Sequence, residues 1–369
     1  MRIVLAGTLS GRGGVQTHLL WLSRALLESG HEVRVYSLAG ALSEEDSARV
    51  RPLSETGSFE VVTPNSNAKS ALSVALTMTL ELRSFAPQVF IACGTGWNLY
   101  LPAIFSGCGA KRVFHEVMSG VPGGPRDSRL AVRYGFNEVI AQASPVANNF
   151  RKHFRWSRDV KVLPAFPEPL EITSRLPMPA RSPIALGTAR AALFSRLVPH
   201  KGALWLVRQW PELSRSLAEL HIHGTGPEEE DIRAMIQQNE WSNHVFLHGS
   251  YPEGSEYVKL LSSYDLTLLP TTGAEGAPLV LLESMACGVP FVSFDVGGIP
   301  DYTNTDCIIV PADRPEGFLK AISKMVSLLN AGEVDHSRLQ RFYLDHFSYS
   351  ALKGRWITWL ESRRTALPA

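Results

Sequence analysis

Ile3-Val4-Leu5-Ala6, then the glycine-rich stretch Gly7 to Gly14, then Thr17-His18-Leu19-Leu20-Trp21-Leu22-Ser23-Arg24-Ala25-Leu26-Leu27 open the chain. A short apolar run closed by glycine reads as a buried strand, and Leu19, Leu22 and Leu26 recur at helical spacing until Gly30 stops the helix. A second strand follows at His31 to Ser37, and strand, turn, helix, strand make one βαβ unit of a buried parallel sheet. Working outward, further strands are predicted at Gln88 to Ala92, Arg112 to His115 and Glu138 to Gln142, so a first α/β domain spans 1–166. Six of the 24 prolines then fall between Pro164 and Pro183. Proline neither donates to a ladder nor continues a helix, which predicts an interdomain linker over 167–184. After it the pattern restarts, with strands at Ala191 to Phe194, Leu220 to His223, Val245 to His248, Leu266 to Pro270, Pro290 to Asp295 and Cys307 to Val310. That gives a second α/β domain over 185–345. The tail, 346–369, carries Leu352, Trp356, Trp359 and Leu360 and reads as a helix expected to pack back on the first domain.

At 369 residues the chain is long enough for two such cores, and 45% hydrophobic with 19% charged residues excludes extended disorder. Thirty-six Lys and Arg against 35 Asp and Glu leave no global field to attract nucleic acid, so none is expected as a partner. Cys93, Cys108, Cys287 and Cys307 include no Cys-x-x-Cys pair, which disfavours a zinc ribbon or thioredoxin chemistry and suits buried thiols. The opening apolar run is too short for a secretory leader. The apolar stretches 71–80 and 99–105 are too short to span a bilayer. A cytoplasmic protein is expected, at most peripheral at the inner face of a membrane.

In open α/β sheets ligands bind beyond the carboxyl ends of the strands, which is where three segments fall. Gly11-Arg12-Gly13-Gly14 presents bare amides at a helix N-terminus, suited to a phosphate. Gln16 in place of a third glycine, and Tyr36-Ser37-Leu38 without an acidic ribose ligand, argue against a dinucleotide site. Arg196-Leu197-Val198-Pro199-His200-Lys201-Gly202 places two cations in one loop, able to clamp a diphosphate. Glu275-Gly276-Ala277-Pro278-Leu279 leads into a helix expected over 278–287, with Pro278 at its first position and Gly288 and Pro290 ending it. Glu275 then lies at the helix N-terminus and Glu283 inside the helix, where a carboxylate needs donors such as the two hydroxyls of a ribose. No His-Glu-x-x-His, P-loop or Gly-x-Ser-x-Gly occurs.

These residues resemble glycosyltransferase family 4, the retaining nucleotide-sugar glycosyltransferases of GT-B architecture. The likeness rests on Gly13-Gly14-Val15, His115, Ser144, Arg196, Lys201-Gly202, Gly224-Thr225-Gly226-Pro227, Asp265, Pro270, the Glu275/Glu283 pair and Gly297-Gly298-Ile299-Pro300. The resemblance implies two Rossmann-like domains facing across a cleft, and a nucleotide-diphosphate sugar as co-substrate with no separate cofactor. It implies that Arg196 and Lys201 grip the diphosphate with help from Gly13 and Gly14, and that Glu275 holds the donor sugar together with the amides of Gly276, Ala277, Pro278 and Leu279. Pro278 can lend that set position only, having no N–H. The same resemblance places Glu283 on the ribose and His115 beside the sugar. Ala165-Phe166, Glu116, Ser195 and Ala277-Pro278 depart from the family's usual residues and bear on sugar choice.

No Asp-x-Asp is present, and the two cations can replace a divalent ion, so metal-independent transfer is expected, with no metal ligands. Phe150-Arg151-Lys152-His153-Phe154-Arg155-Trp156-Ser157-Arg158 mixes aromatics with cations and is the expected place of any membrane contact. The acceptor, whether glycan, lipid-linked or small molecule, would belong to the first domain. Its loops Gly94 to Leu99 and Ser119 to Ser128 carry no decisive motif. Two other readings keep the fold: a nucleotide-sugar epimerase or coupling enzyme, and a nucleotide-sugar-binding protein without turnover.

Overall fold

The computed structural model describes the chain except residues 12, 39–40, 64–70, 108, 125–126, 178–180, 274 and 365–369, so Arg12, Cys108 and part of the proline-rich stretch lie outside the described residues. Two compact units form, one from Met1–Pro167 with Tyr349–Ala369, the other from Glu168–Ser348.

The first unit alternates β1 (Arg2–Gly7), α1 (Gly14–Glu28), β2 (Glu32–Ser37), α2 (Glu44–Thr56), β3 (Phe59–Val62), α3 (Ala71–Phe85), β4 (Val89–Cys93), α4 (Trp97–Phe105), β5 (Lys111–Glu116), α5 (Arg129–Gly135), β6 (Glu138–Ala141), α6 (Ser144–Phe154) and β7 (Val160–Val162). Its seven strands run parallel in the order β3-β2-β1-β4-β5-β6-β7. Both faces are covered. Ile3 and Leu5 point into one core with α1, Val4 and Ala6 into another with α3 to α6, which is why the strand reads as an unbroken apolar run.

The second unit holds α7 (Leu170–Thr173), β8 (Arg190–Phe194), α8 (Ala203–Arg208), α9 (Trp210–Leu213), β9 (Glu219–His223), α10 (Glu229–Gln238), β10 (Val245–Gly249), α11 (Gly254–Ser262), β11 (Leu266–Leu269), α12 (Leu279–Ala286), β12 (Phe291–Asp295), β13 (Ile308–Pro311), α13 (Pro315–Ala331) and α14 (His336–His346). Six parallel strands stand in the order β10-β9-β8-β11-β12-β13. Both units are thus Rossmann-like α/β layers. The tail helix α15 (Tyr349–Arg364) completes the first unit. Trp356 Nε1 donates to the Pro164 carbonyl at 3.0 Å, and Tyr349 and Lys353 reach Glu28 at 2.8 and 2.9 Å.

The proline-rich stretch leads from one unit into the other, with Phe166 buried in the first unit's core and Leu170 in the second's. Two local readings differ from the sequence expectation. Pro278 caps α12 instead of starting it, because its ψ of 109° is extended while its carbonyl already accepts from Leu281 N–H at 3.3 Å. In the stretch 150–158, Phe150, Phe154 and Trp156 are buried beneath α6, and Arg158 covers the Trp156 ring at 4.0 Å. That stretch therefore offers a bilayer cations without aromatics. No helix among the described residues is long and apolar enough to cross a membrane.

Candidate active site

The strand order of the second unit reverses between β8 and β11, the position where open parallel sheets bind ligands. Topology alone therefore makes neighbours of the loop after β8, which carries Arg196 and Lys201, and the loop after β11, which carries Glu275. Lys201 Nζ donates to Glu275 Oε1, an ion pair whose side chains are 15% and 9% exposed. Thr271 Oγ1 is bonded to the same carboxylate oxygen at 2.8 Å and lies 3.1 Å from the His200 carbonyl, so the pair is braced from below. Gly297, after β12, has a φ of +56°, and a Cβ there would come within 2.1 Å of the Glu275 carbonyl oxygen. Only glycine lets the two loops pass so closely. Arg196 stays exposed.

The loop bearing Arg196 is tied to the turn after β9: Ser195 N–H donates to the His223 carbonyl at 3.0 Å and Leu197 N–H to the Thr225 carbonyl at 2.9 Å. Gly224 to Pro227 thus supports the cationic loop. Asp265 has a structural place, accepting from Arg190 N–H at 2.9 Å. Gly276 to Pro278 lead into α12, whose first two amides, of Leu279 and Val280, lack intrahelical acceptors. Inside α12, Glu283 is half-buried and accepts from the Tyr257 hydroxyl of α11 at 2.8 Å. Burial pushes its carboxyl up to about 7, against the pull of the Tyr257 hydrogen bond.

In the first unit the order reverses between β1 and β4. Gly13 caps α1 in extended conformation and Gly14 begins it, both exposed, so the helix presents its first-turn amides and positive end there. His115, near the carboxyl end of β5, pairs in register with Cys93 at the end of β4. It is fully buried. Its Nδ1 lies 3.2 Å from His18 Nε2 and 3.6 Å from Cys93 Sγ, while its Nε2 has no hydrogen-bond partner among the described residues. Phe166 N–H donates to His18 Nδ1 at 3.1 Å. Burial pushes His18 down to about 3, lowers His115 well below its ordinary value and raises the Cys93 thiol to about 12. The three donor atoms lie within 4.8 Å of one another, a spacing that suits a metal ion. The nitrogen His18 turns to the cluster bears its proton, however, because the other accepts from Phe166, so the group is a hydrogen-bonded chain. Glu116 faces the opposite way; Met118 N–H donates to it at 2.7 Å and burial raises it to about 7.

The structure thus brings Lys201 and Glu275 into contact. Thr271, Tyr257, His18 and Cys93 had no assignment from sequence. Of these, His18 alone carried a usable signal, standing one helical turn beyond Gly14.

Residues 189–327 match the family of glycosyl transferases group 1. With the fold, this defines the class: the second unit is a glycosyl transferases group 1 domain, and the fold is of GT-B type. Over 348 residues, 90% of this chain and 75% of the relative, it is 23% identical to a phosphatidylinositol N-acetylglucosaminyltransferase subunit of Arabidopsis thaliana. Over 115 residues, 29% of this chain and 30% of the relative, it is 37% identical to the GDP-mannose-dependent alpha-(1-6)-phosphatidylinositol monomannoside mannosyltransferase of Mycolicibacterium smegmatis. In fold it is similar to Anabaena Alr3699/HepE in complex with UDP, at a TM-score of 0.76 and 17% identity over 98% of this chain and 100% of that one.

Proposed function

We propose that the chain transfers a sugar from a nucleotide-diphosphate sugar to a lipid-linked acceptor, retaining the anomeric configuration and using no metal ion. The observation that carries this reading is the Lys201–Glu275 pair at the second unit's strand-order reversal, with Arg196 exposed in the same loop as Lys201. A diphosphate arriving there meets two cations on one wall, and their charge stabilises the phosphate as the glycosidic bond breaks. Lys201 then exchanges part of its pairing with Glu275 for the diphosphate, which frees the carboxylate to accept from sugar hydroxyls. Glu283 accepts from the ribose. In the first unit, the amides of Gly13 and Gly14 and the Nε2 of His115, which has no partner among the described residues, are the groups suited to a phosphate or sugar oxygen.

Two things favour a lipid-linked acceptor. Both relatives named above carry phosphatidylinositol in their names. In the first unit, Leu72, Leu76 and Leu80 are 57 to 69% exposed along one face of α3, and Leu130 and Tyr134 are exposed on α5. A membrane contact is assigned to that face rather than to 150–158.

The test is turnover of UDP-glucose, UDP-N-acetylglucosamine and GDP-mannose by the purified full chain, with and without chelator, with the anomeric proton of the product read by NMR. Expected is release of nucleoside diphosphate, unaffected by chelator, and a product of the donor's configuration. Dependence on a divalent ion, or inversion, overturns the corresponding part of the reading.

A further inference from the structure

His18 and His115 are both buried and both kept neutral, and the hydrogen bonds around them leave one choice of tautomer for each. The Phe166 backbone N–H can only donate, so His18 Nδ1, 3.1 Å away, must be the bare nitrogen and Nε2 must carry the proton. That proton points at His115 Nδ1, 3.2 Å distant, which must therefore be bare in turn. The Cys93 thiol, 3.6 Å from the same bare nitrogen, stays protonated and adds a second, weak donor. The His115 proton is thus forced onto Nε2, the nitrogen that is buried without a partner among the described residues. Trp356, 5.2 Å away and edge-on, holds the ring's orientation.

We propose that His18 is a positioning residue: it relays the polarity of the Phe166 amide to His115 and fixes that ring as a neutral Nε2–H donor. The consequence, which rests on the reading of His115 as a donor-sugar contact, is that His115 gives a hydrogen bond to an oxygen of the nucleotide sugar and takes no proton from the acceptor. Protonating His115 at Nδ1 would set two N–H groups against each other. Turning His18 over to relieve this would set its Nδ1–H against the Phe166 N–H. The titratable groups facing His115 are His18, whose N–H opposes that change, and Cys93, whose sulfur accepts only weakly.

The experiment is ring-15N histidine NMR on the full chain, with the variants His18→Phe and His18→Gln. In the wild type, His18 and His115 are expected to show protonated Nε2 and bare Nδ1, without titrating near the ordinary imidazole value. His18→Phe removes the donor, so His115 is expected to become a tautomer mixture and kcat/KM to fall by about tenfold or more. His18→Gln has both an acceptor and a donor, and is expected to restore the tautomer and most of the activity. A wild-type His115 protonated at Nδ1, or a His18→Phe spectrum with His115 unchanged, overturns the proposal. The wild-type spectrum decides even if His18→Phe fails to fold. Saturation with UDP-glucose or GDP-mannose tests the underlying reading separately. If neither moves the His115 Nε2 resonance while the tautomer is as stated, the sugar contact falls and the positioning role of His18 stands.

Discussion

Glu283 is a carboxyl group that the fold holds near half ionisation at neutral pH, because burial raises it from 4.5 to about 7. A raised carboxyl favours the folded state most when protonated. That contribution is full below the ordinary carboxyl value and is lost as pH rises through about 7. Glu283→Gln, which imitates the protonated acid, is therefore expected to gain on the wild type by up to about 3 kcal/mol between about pH 5 and about pH 8. Thermal denaturation across that range reads this as a widening difference in Tm, and a flat difference denies the raised carboxyl. The same variant is expected to bind nucleotide diphosphates more weakly, and wild-type affinity to decline below about pH 7, since ribose hydroxyls donate to the ionised form. Arg196 and Lys201 separate differently. Arg196 is exposed, so Arg196→Ala is expected to leave stability within about 0.5 kcal/mol while lowering kcat by about a hundredfold. Lys201→Ala strands the buried Glu275 carboxylate and is expected to cost about 3 kcal/mol of stability besides activity. Equal stability losses in the two variants would contradict the difference in their surroundings.

At the scale of elements, the loops that carry the site are shaped by close backbone approach. Gly297→Ala brings a methyl within 2.1 Å of the Glu275 carbonyl at a φ of +56°, and is expected to cost about 2 to 3 kcal/mol and to raise the donor KM by displacing the Glu275 loop. Gly249→Ala is the control, since its φ is +74° but no atom lies within 4 Å of the added methyl, leaving a backbone cost of about 1 kcal/mol. Denaturation midpoints distinguish the two, and equal losses would mean that the contact with Glu275 does not hold the loop. The central strands were legible because burial on both faces makes them unbroken apolar runs, as in Ile3 to Ala6. The edge strands β3 and β7 were not, since Phe59–Val62 and Val160–Val162 are partly exposed and their pattern breaks. The loop cations and both glutamates could be read from spacing and caps. Thr271 and Tyr257 could not, because their roles arise from neighbours distant in sequence. The stretch 150–158 shows the same limit in reverse: its composition was plain, but Phe150 and Phe154 face the sheet while Arg151 and Lys152 face solvent.

For the whole molecule, a formal charge of +1 gives no long-range pull toward an anionic surface, so a membrane contact has to come from one local face. On the first unit α3 packs against α4 and α4 against α5. That layer exposes Leu72, Leu76 and Leu80 on α3, Phe105 on α4, and Leu130 and Tyr134 on α5. Exposed large apolar groups on one helical layer are the feature that a protein or membrane contact would use. The charges within the layer fit an anionic bilayer: Arg129 and Arg133 are exposed beside Leu130 and Tyr134, whereas Glu81 is paired with Arg34 at 3.2 Å. The full chain is therefore expected to sediment with vesicles containing phosphatidylserine or phosphatidylglycerol more than with neutral vesicles, and less as salt rises. Leu76→Glu with Leu80→Glu is expected to abolish the association while leaving donor hydrolysis in solution unchanged. Arg129→Ala with Arg133→Ala is expected to remove most of the preference for anionic lipid. Undiminished sedimentation of the leucine variant would refute the assignment, as would a wild-type chain that ignores vesicles and instead forms dimers which that variant dissociates.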